Sequence, residues 1–285
     1  MAQFDANTLP ELAKLLAVAP HEIQGVIQDR RRYYRNTRLT KPGGGFRLLR
    51  VPDGPLKFLQ DKIRRHLLDK VGALDCVHGG VRGRSPATNA KLHTGKPVVF
   101  TLDVKDFFPS VGPATIRRVF SVLGFGAQAL EALVDATTWD NQLPQGAPTS
   151  VALANLAMYR VDVRILRLAR LHGFAYTRYV DDLAISGGWR LLDFRRLVQR
   201  IVQEEGFRIN PAKVKTMPAH TRQVVTGLIV NEKLNLPREQ RDEMRRRAVH
   251  LDRLGIDPAT VRGQLAWFSS INPQKAIRLR GRVRL

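Results

Sequence analysis

The chain has 285 residues and 44% hydrophobic content, enough for one large domain or two to three subdomains around a substantial core. Lysine and arginine number 47 against 25 acids, a formal charge of +22, which points to a polyanionic partner, most simply nucleic acid. No apolar run approaches the roughly 20 residues of a membrane span, Met1 to Asn7 is too polar for a signal peptide, and the single cysteine, Cys76, excludes an intrachain disulfide or a multi-cysteine zinc site, so the expected setting is a reducing cytoplasm.

Thr8 reads as the N-cap of an amphipathic helix from Leu9 to Val18, and Pro20 opens a second helix ending near the basic, aromatic stretch 30–34. That end suits a phosphate backbone or a solvated helix end equally. Between Lys41 and Arg50, glycines 43–45 supply turn chemistry before a short strand. The expected hairpin carries cations able to fold over a triphosphate, and with no GK[ST] following it is not a P-loop. Pro55 starts a helix over 56–71, with apolar spacing at Phe58, Leu59, Ile63 and Leu67. The loop from Val77 to Ser85 carries two arginines, and Ser85 caps a helix holding Asn89 to His93. A lone histidine there is more often a satisfied structural group than a catalyst.

Pro97 to Asp103 is a continuous apolar run ending in an acid, as expected of a buried central strand that delivers a carboxylate. Asp106, Phe107 and Phe108 follow, and Pro113 begins another helix. Asn141 to Ser150 is a loop of turn formers before a long helix over 151–171, capped by Thr149 or Ser150 and stopped by Gly173. Such a loop can receive an anion or a nucleotide at the helix start. Phe174 to Ser186 reads as two short strands joined at Asp181-Asp182. Standing alone, paired aspartates are a solvated turn. Held close they repel, one pKa rises, and a divalent cation removes the penalty.

Residues 191–205 read as a helix, 207–213 as a loop and 222–230 as a strand, and a subdomain boundary is expected near Leu236. Arginine-rich helices follow over 238–254 and 259–269, before a basic end, 278–285, expected to be partly unordered. On the first of these, Met244, Ala248, Leu251 and Leu254 form an apolar stripe at about 100° per residue. Arg246 and Arg253 point nearly opposite, as a phosphate track or a solvated face.

Asp103, Asp181 and Asp182 therefore stand out. Phosphoryl transfer to a 3′-hydroxyl uses two divalent ions about 3.5–4 Å apart, and hard oxygen ligands favour Mg2+. With these residues in place the sequence resembles reverse transcriptases, and within them the bacterial retron type, over about 37–271. The YxDD box stands at Tyr179-Val-Asp-Asp182, the strand-borne acid box at 103–110 and the LPQG box at 143–150. Two elements are retron-like, Asn89-Ala-Lys-Leu-His93 and Val225-Thr-Gly227.

The resemblance implies an α+β right-hand polymerase. N-terminal helices and fingers would occupy 1–96. A palm with interleaved fingers segments would occupy 97–236, its antiparallel sheet carrying the acids. A small helical thumb and a basic tail would occupy 237–285. It implies Asp103, Asp181, Asp182 and the carbonyl of Val104 as ligands of two Mg2+ ions. Phe108 would sit under the incoming sugar and exclude a 2′-hydroxyl, Gln145 would line the nucleotide pocket, and Arg47 with Lys41 would hold the triphosphate. Lys213 would serve the leaving pyrophosphate. The family's NxxKT reads here as Asn210-Pro-Ala-Lys-Val-Lys-Thr216, which leaves Lys215 as the alternative.

Asn89, His93, Val225, Thr226, Gly227, Arg246 and Arg253 are expected on RNA-binding surfaces. The implied activity is RNA-directed DNA polymerase: dNTPs are polymerised on a cognate structured noncoding RNA, with priming from its 2′-hydroxyl and a branched RNA–DNA product. The implied role is phage defence with a separate effector protein. The alternatives are a group II intron-like or other domesticated reverse transcriptase, and a catalytically weak RNA-binding scaffold. The retron-like elements and the lack of a maturase or endonuclease extension weigh against the first, and the intact acids against the second.

Overall fold

Two strands near the N-terminus, β1 (Tyr34–Thr40) and β2 (Phe46–Pro52), pair antiparallel as the glycine-rich turn requires. The computed structural model describes residues 3–40, 44–249 and 257–280, with the backbone alone for Arg47 and 278–280. Lys41, Arg253, Leu251 and Leu254 lie outside the described residues.

Four further strands form one antiparallel sheet: β3 (Val98–Asp103), β4 (Ala175–Tyr179), β5 (Asp182–Gly187) and β6 (Lys215–Pro218), in the order β4-β5-β3-β6. Side chains alternate between the faces of a strand, and both faces are covered. Val98, Phe100, Leu102, Leu183 and Ile185 enter a large core shared with the N-terminal helices and the helices that flank the sheet. Val99, Ala184 and Met217 enter a second core with Leu236 and with Met244, Ala248, Leu265 and Phe268 of the C-terminal helices. Double-sided burial is why β3 is apolar along its length.

Local signals set several elements where expected. Thr8 and Glu11 form a reciprocal capping box on the helix Leu9–Leu16, and Ser85 and Thr88 form another on Pro86–Lys91. Elsewhere tertiary contacts redraw the boundaries. The helix expected over 56–71 runs as Gly54–Ile63, a π turn at Arg64–Leu68 and a final turn at Asp69–Val71. The helix expected over 151–171 is two, Ser150–Ala157 and Tyr159–His172, broken at Met158. Thr149 makes no capping bond there, and the Ser150 hydroxyl instead donates to the Pro144 carbonyl at 2.6 Å.

The strand expected over 222–230 is a hairpin of β7 (Val224–Val225) and β8 (Leu228–Ile229). Thr226 (φ 46°) and Gly227 (φ 79°) turn it back, with positive φ at both central residues as a type I′ hairpin demands. The helix Ala127–Thr137 is not among the expected elements although its alanine- and leucine-rich run favours a helix, strand β6 carries little signal of its own, and the helix Pro273–Arg280 reaches into the stretch expected to be unordered.

Candidate active site

The acids meet at one end of the central sheet. Asp103, the last residue of β3, pairs in register with Asp182, the first residue of β5. The Val104 amide donates to the Asp181 carbonyl at 3.0 Å, tying the end of β3 to the turn between β4 and β5. Asp103 is almost fully buried, whereas Asp182 opens to solvent on one side. The Lys213 ammonium lies 2.7 Å from Asp103 Oδ2, and that bond raises the Lys213 pKa. Lys215 lies on β6 opposite Thr101 instead.

The Asp182 acid is pushed up to about 7, first by loss of hydration, then by the charges of Asp181 and Asp103. Among the described residues no three His, Cys, Asp or Glu side chains already stand as a metal cage; an ammonium holds Asp103 instead. The donor set still fits a hard divalent cation. It is all oxygen, it has already captured one cation, and its open side is where charge crowding can be relieved.

This crowding has a measurable sign. A folded-state pKa above the unfolded carboxyl value means that the folded chain binds more protons between about pH 4 and pH 7. Stability therefore falls as pH rises through that window and stays reduced above it. With chelator at pH 8, Asp182→Asn is expected to melt about 2–4 °C above the parent chain, near 1 kcal/mol after allowance for solvent screening. At pH 4 the difference should close. Equal melting of the two chains at pH 8 would show that neither lost hydration nor the neighbouring acids burden the Asp182 charge.

The turn that carries the acids is braced from beneath. Val180 has φ 59°, a costly conformation for a β-branched residue, held only where surroundings over-determine it. Arg178, fully buried, donates from Nη1 to the Val180 carbonyl at 2.9 Å and to Asn155 Oδ1 at 2.8 Å. Its other nitrogens grip the buried Asp162 carboxylate at 2.8 and 2.6 Å, and Tyr176 donates to the same carboxylate at 2.6 Å. The 76–80 loop closes the other side: the His78 amide donates to the Arg178 carbonyl at 2.7 Å. A Cβ on Gly79 would come within 2.4 Å of the Val180 nitrogen, so only glycine permits this approach. Nothing in the sequence marked Asp162 or Asn155; the pairing with Arg178 spans 16 and 23 residues.

The expected nucleotide-pocket residues lie on connected elements. Phe108 is half-buried, its ring 5.6 Å from that of Phe107. The Leu143 amide donates to the Val111 carbonyl at 3.0 Å, joining the LPQG loop to the segment after Phe108. In turn the Gln145 carbonyl accepts from the Arg50 amide at 2.8 Å. Gly146, with φ 108°, lets β2 pack against the loop. The β1–β2 hairpin, which bears Arg47, is thereby fastened to the loop that bears Gln145.

The reverse transcriptase (RNA-dependent DNA polymerase) family matches residues 39–237, a span holding the three acids, the LPQG loop and β2. The chain belongs to the reverse transcriptase family. Its relatives are of the retron type. It is 38% identical over 276 residues to the retron Mx65 reverse transcriptase of Myxococcus xanthus, covering 88% of this chain and 64% of that one. It is 30% identical over 279 residues to the retron Ec86 reverse transcriptase of Escherichia coli, covering 96% and 87%. The chain thus spans a little under two thirds of the length of the first relative. In fold it is similar to a Candida albicans telomerase solved with a fragment of telomeric RNA, at TM-score 0.51 and 11% identity over 71% of this chain and 46% of that one. The architecture is the right-hand polymerase fold.

In this chain the retron-like elements do not form the exposed RNA surface expected of them. Asn89, His93 and Val225 are buried. His93 bridges the side chains of neighbouring strands β4 and β5, with Nδ1 2.7 Å from Ser186 Oγ and Nε2 2.7 Å from Thr177 Oγ1. Asn89 donates to Thr226 Oγ1 at 3.4 Å, and Thr226 donates to the Pro86 carbonyl at 3.1 Å. These residues join the helix Pro86–Lys91 to the sheet and to the β7–β8 hairpin. Gly227 is exposed and Thr226 partly so. Arg246 is exposed and pairs with Glu243, while Met244 and Ala248 pack inward as the apolar stripe predicts.

Burial, reinforced by His78 and Lys96, pushes the His93 pKa down to about 3. A depressed histidine pKa stabilises the fold fully above the unfolded value near 6.5, and that contribution is lost as pH falls toward 3. His93→Ala leaves two buried hydroxyls short of a partner, at about 1–3 kcal/mol each. It should lower the melting temperature at pH 7.5 and flatten its fall between pH 6.5 and 5. Synthesis on a structured RNA and on a plain primed template should drop together. A loss confined to the structured RNA would return His93 to the RNA interface.

Proposed function

We propose that the chain is an RNA-directed DNA polymerase that copies a cognate structured noncoding RNA into single-stranded DNA. The observation that carries this reading is the convergence of Asp103, Asp181 and Asp182 at one sheet end. Two Mg2+ ions bound by these acids and the Val104 carbonyl would supply Lewis acidity toward the attacking 3′-hydroxyl and the leaving pyrophosphate. The chain's own groups do the rest. Lys213, already beside Asp103, is placed to neutralise pyrophosphate, Gln145 lines the nucleotide pocket, and Arg47 with Lys41 bind the triphosphate. Gly227, Thr226 and Arg246 are the described residues of the expected RNA set left to contact nucleic acid, and Arg253 belongs to the same proposed set. Priming from an RNA 2′-hydroxyl, and a defence role through a separate effector protein, belong to the same reading and follow from the retron resemblance. Among the described residues no helix is long and apolar enough to cross a membrane.

The test is extension of a DNA primer on an RNA template with dNTPs, with Mg2+ or with chelator. Metal-dependent extension is expected. Tight RNA binding with no extension under any divalent ion would favour the scaffold reading. The Phe108 ring is proposed to fill the volume of a 2′-hydroxyl. Phe108→Val should lower the dNTP-to-rNTP ratio of kcat/KM by about tenfold or more while keeping much of the dNTP rate. An unchanged ratio would leave Phe108 as a packing residue beside Phe107.

A further inference from the structure

At the end of the central sheet away from the acids lies a groove that the polymerase reading leaves unused. Val98 faces Gly187 on β5 and Pro218 on β6 at this end, while Asp103 faces Asp182 at the other. Five residue steps of about 3.3 Å separate the two, so the groove lies roughly 17 Å or more from the acids. It holds about 760 Å3 between segments distant in sequence, and its walls carry Lys96, Lys233, Lys275 and Trp189. Glu232 is the single acid among its described lining residues.

Trp189 is 56% exposed, on the turn before the helix Leu191–Glu204. A large flat ring left open in a groove lined by lysines is poorly explained by core packing and well suited to stacking. The floor beneath is rigid. The Gly95 amide donates to the Val230 and Asn231 carbonyls at 2.9 and 2.7 Å. Buried Gln223 donates to the Lys96 and Met217 carbonyls, both at 2.9 Å, and Asn231 donates to the Ala219 and Thr221 carbonyls at 3.0 and 2.7 Å. The backbone that presents Lys96 is therefore fixed before any ligand arrives, which lowers the ordering cost of binding.

From this frame we infer that the groove is a second nucleic-acid site, which takes a single-stranded RNA segment with its phosphates on the lysines and a base on Trp189. A base-paired segment offers no free base face to the ring, so the unpaired form fits better. The inference rests on the polymerase reading only for the presence of an RNA partner. It gives the chain a hold on its RNA that is independent of the templating position.

The test uses the full chain and a fluorescein-labelled oligouridine of about 20 nucleotides, with a short primer–template hybrid already saturating the catalytic cleft. Lys96→Glu with Lys233→Glu is expected to weaken oligouridine binding about tenfold or more at moderate salt and to reduce the slope of log K against log salt by about one to two units. Trp189→Ala should cost about tenfold, and Trp189→Phe, which keeps a ring, should restore most of it. Melting temperatures should stay within about 2 °C, and extension of the short hybrid within about twofold. Unchanged affinity and slope in well-folded variants would overturn the site. So would displacement of oligouridine by polyglutamate as readily as by unlabelled RNA, since that would mark a general anion surface. Extension by the parent chain reports the polymerase reading separately: a chain that never extends, yet loses oligouridine affinity in these variants, would sink that reading and keep the groove.

Discussion

Asp182→Asn is expected to cut RNA-templated DNA synthesis by about 10²–10³-fold or more, while RNA affinity stays within a few-fold. The two effects separate because the residue acts on charge at the reacting centre, whereas affinity is set by phosphate contacts spread over a surface of net charge +22. Loss of hydration, and after it the charges of Asp181 and Asp103, make Asp182 costly to keep charged without a cation, a burden to the fold that a charge-dependent task offsets. The variant should accordingly be dead and slightly more stable in chelator, a combination that a folding defect cannot produce. Asp106→Asn is the internal control. Asp106 is exposed, has φ 50° and faces Arg208 at 3.7 Å, outside the sheet register. Asparagine tolerates that backbone well, and its rate should stay near that of the parent chain. Extension by Asp182→Asn at a near-parental rate would remove the metal-ligand assignment.

Asp162→Asn is expected to destabilise the chain by about 3–5 kcal/mol, because it leaves the Arg178 guanidinium buried without its counter-charge. Both partners are almost wholly out of water, at 0% and 1% side-chain exposure. The pair itself contributes less than this loss suggests, since its attraction is largely offset by desolvation. Replacing both by apolar residues, Asp162→Leu with Arg178→Met, should therefore recover much of the stability. It should not recover activity, because Arg178 also holds the Val180 carbonyl in the turn that presents Asp181 and Asp182. Chemical denaturation and primer extension on the single and double variants would read the two roles apart. A single variant within about 1 kcal/mol of the parent chain would mean that Asp162 is not the counter-charge that matters.

The amino-acid sequence by itself determined the elements whose causes are local. Capping residues start the helices at Leu9 and Pro86, and the glycine turn makes the β1–β2 hairpin. An apolar run delivers Asp103, and adjacent aspartates mark the β4–β5 turn. Each of these is decided by residues within a few positions of one another, so the chain carries the signal wherever it folds. The tertiary structure decided what depends on partners far along the chain. Asn89, His93 and Val225 form a motif pattern that invites a surface role, but the sheet and the β7–β8 hairpin close over them and satisfy their polar atoms. Strand β6 has little signal of its own and exists because β3 offers an edge to pair with. The Arg178–Asp162 brace is likewise assembled across 16 residues, and the lysine–tryptophan groove from segments more than a hundred residues apart. Burial is a property of the packed whole, and a sequence pattern alone reports which residues want partners but not which partners they meet.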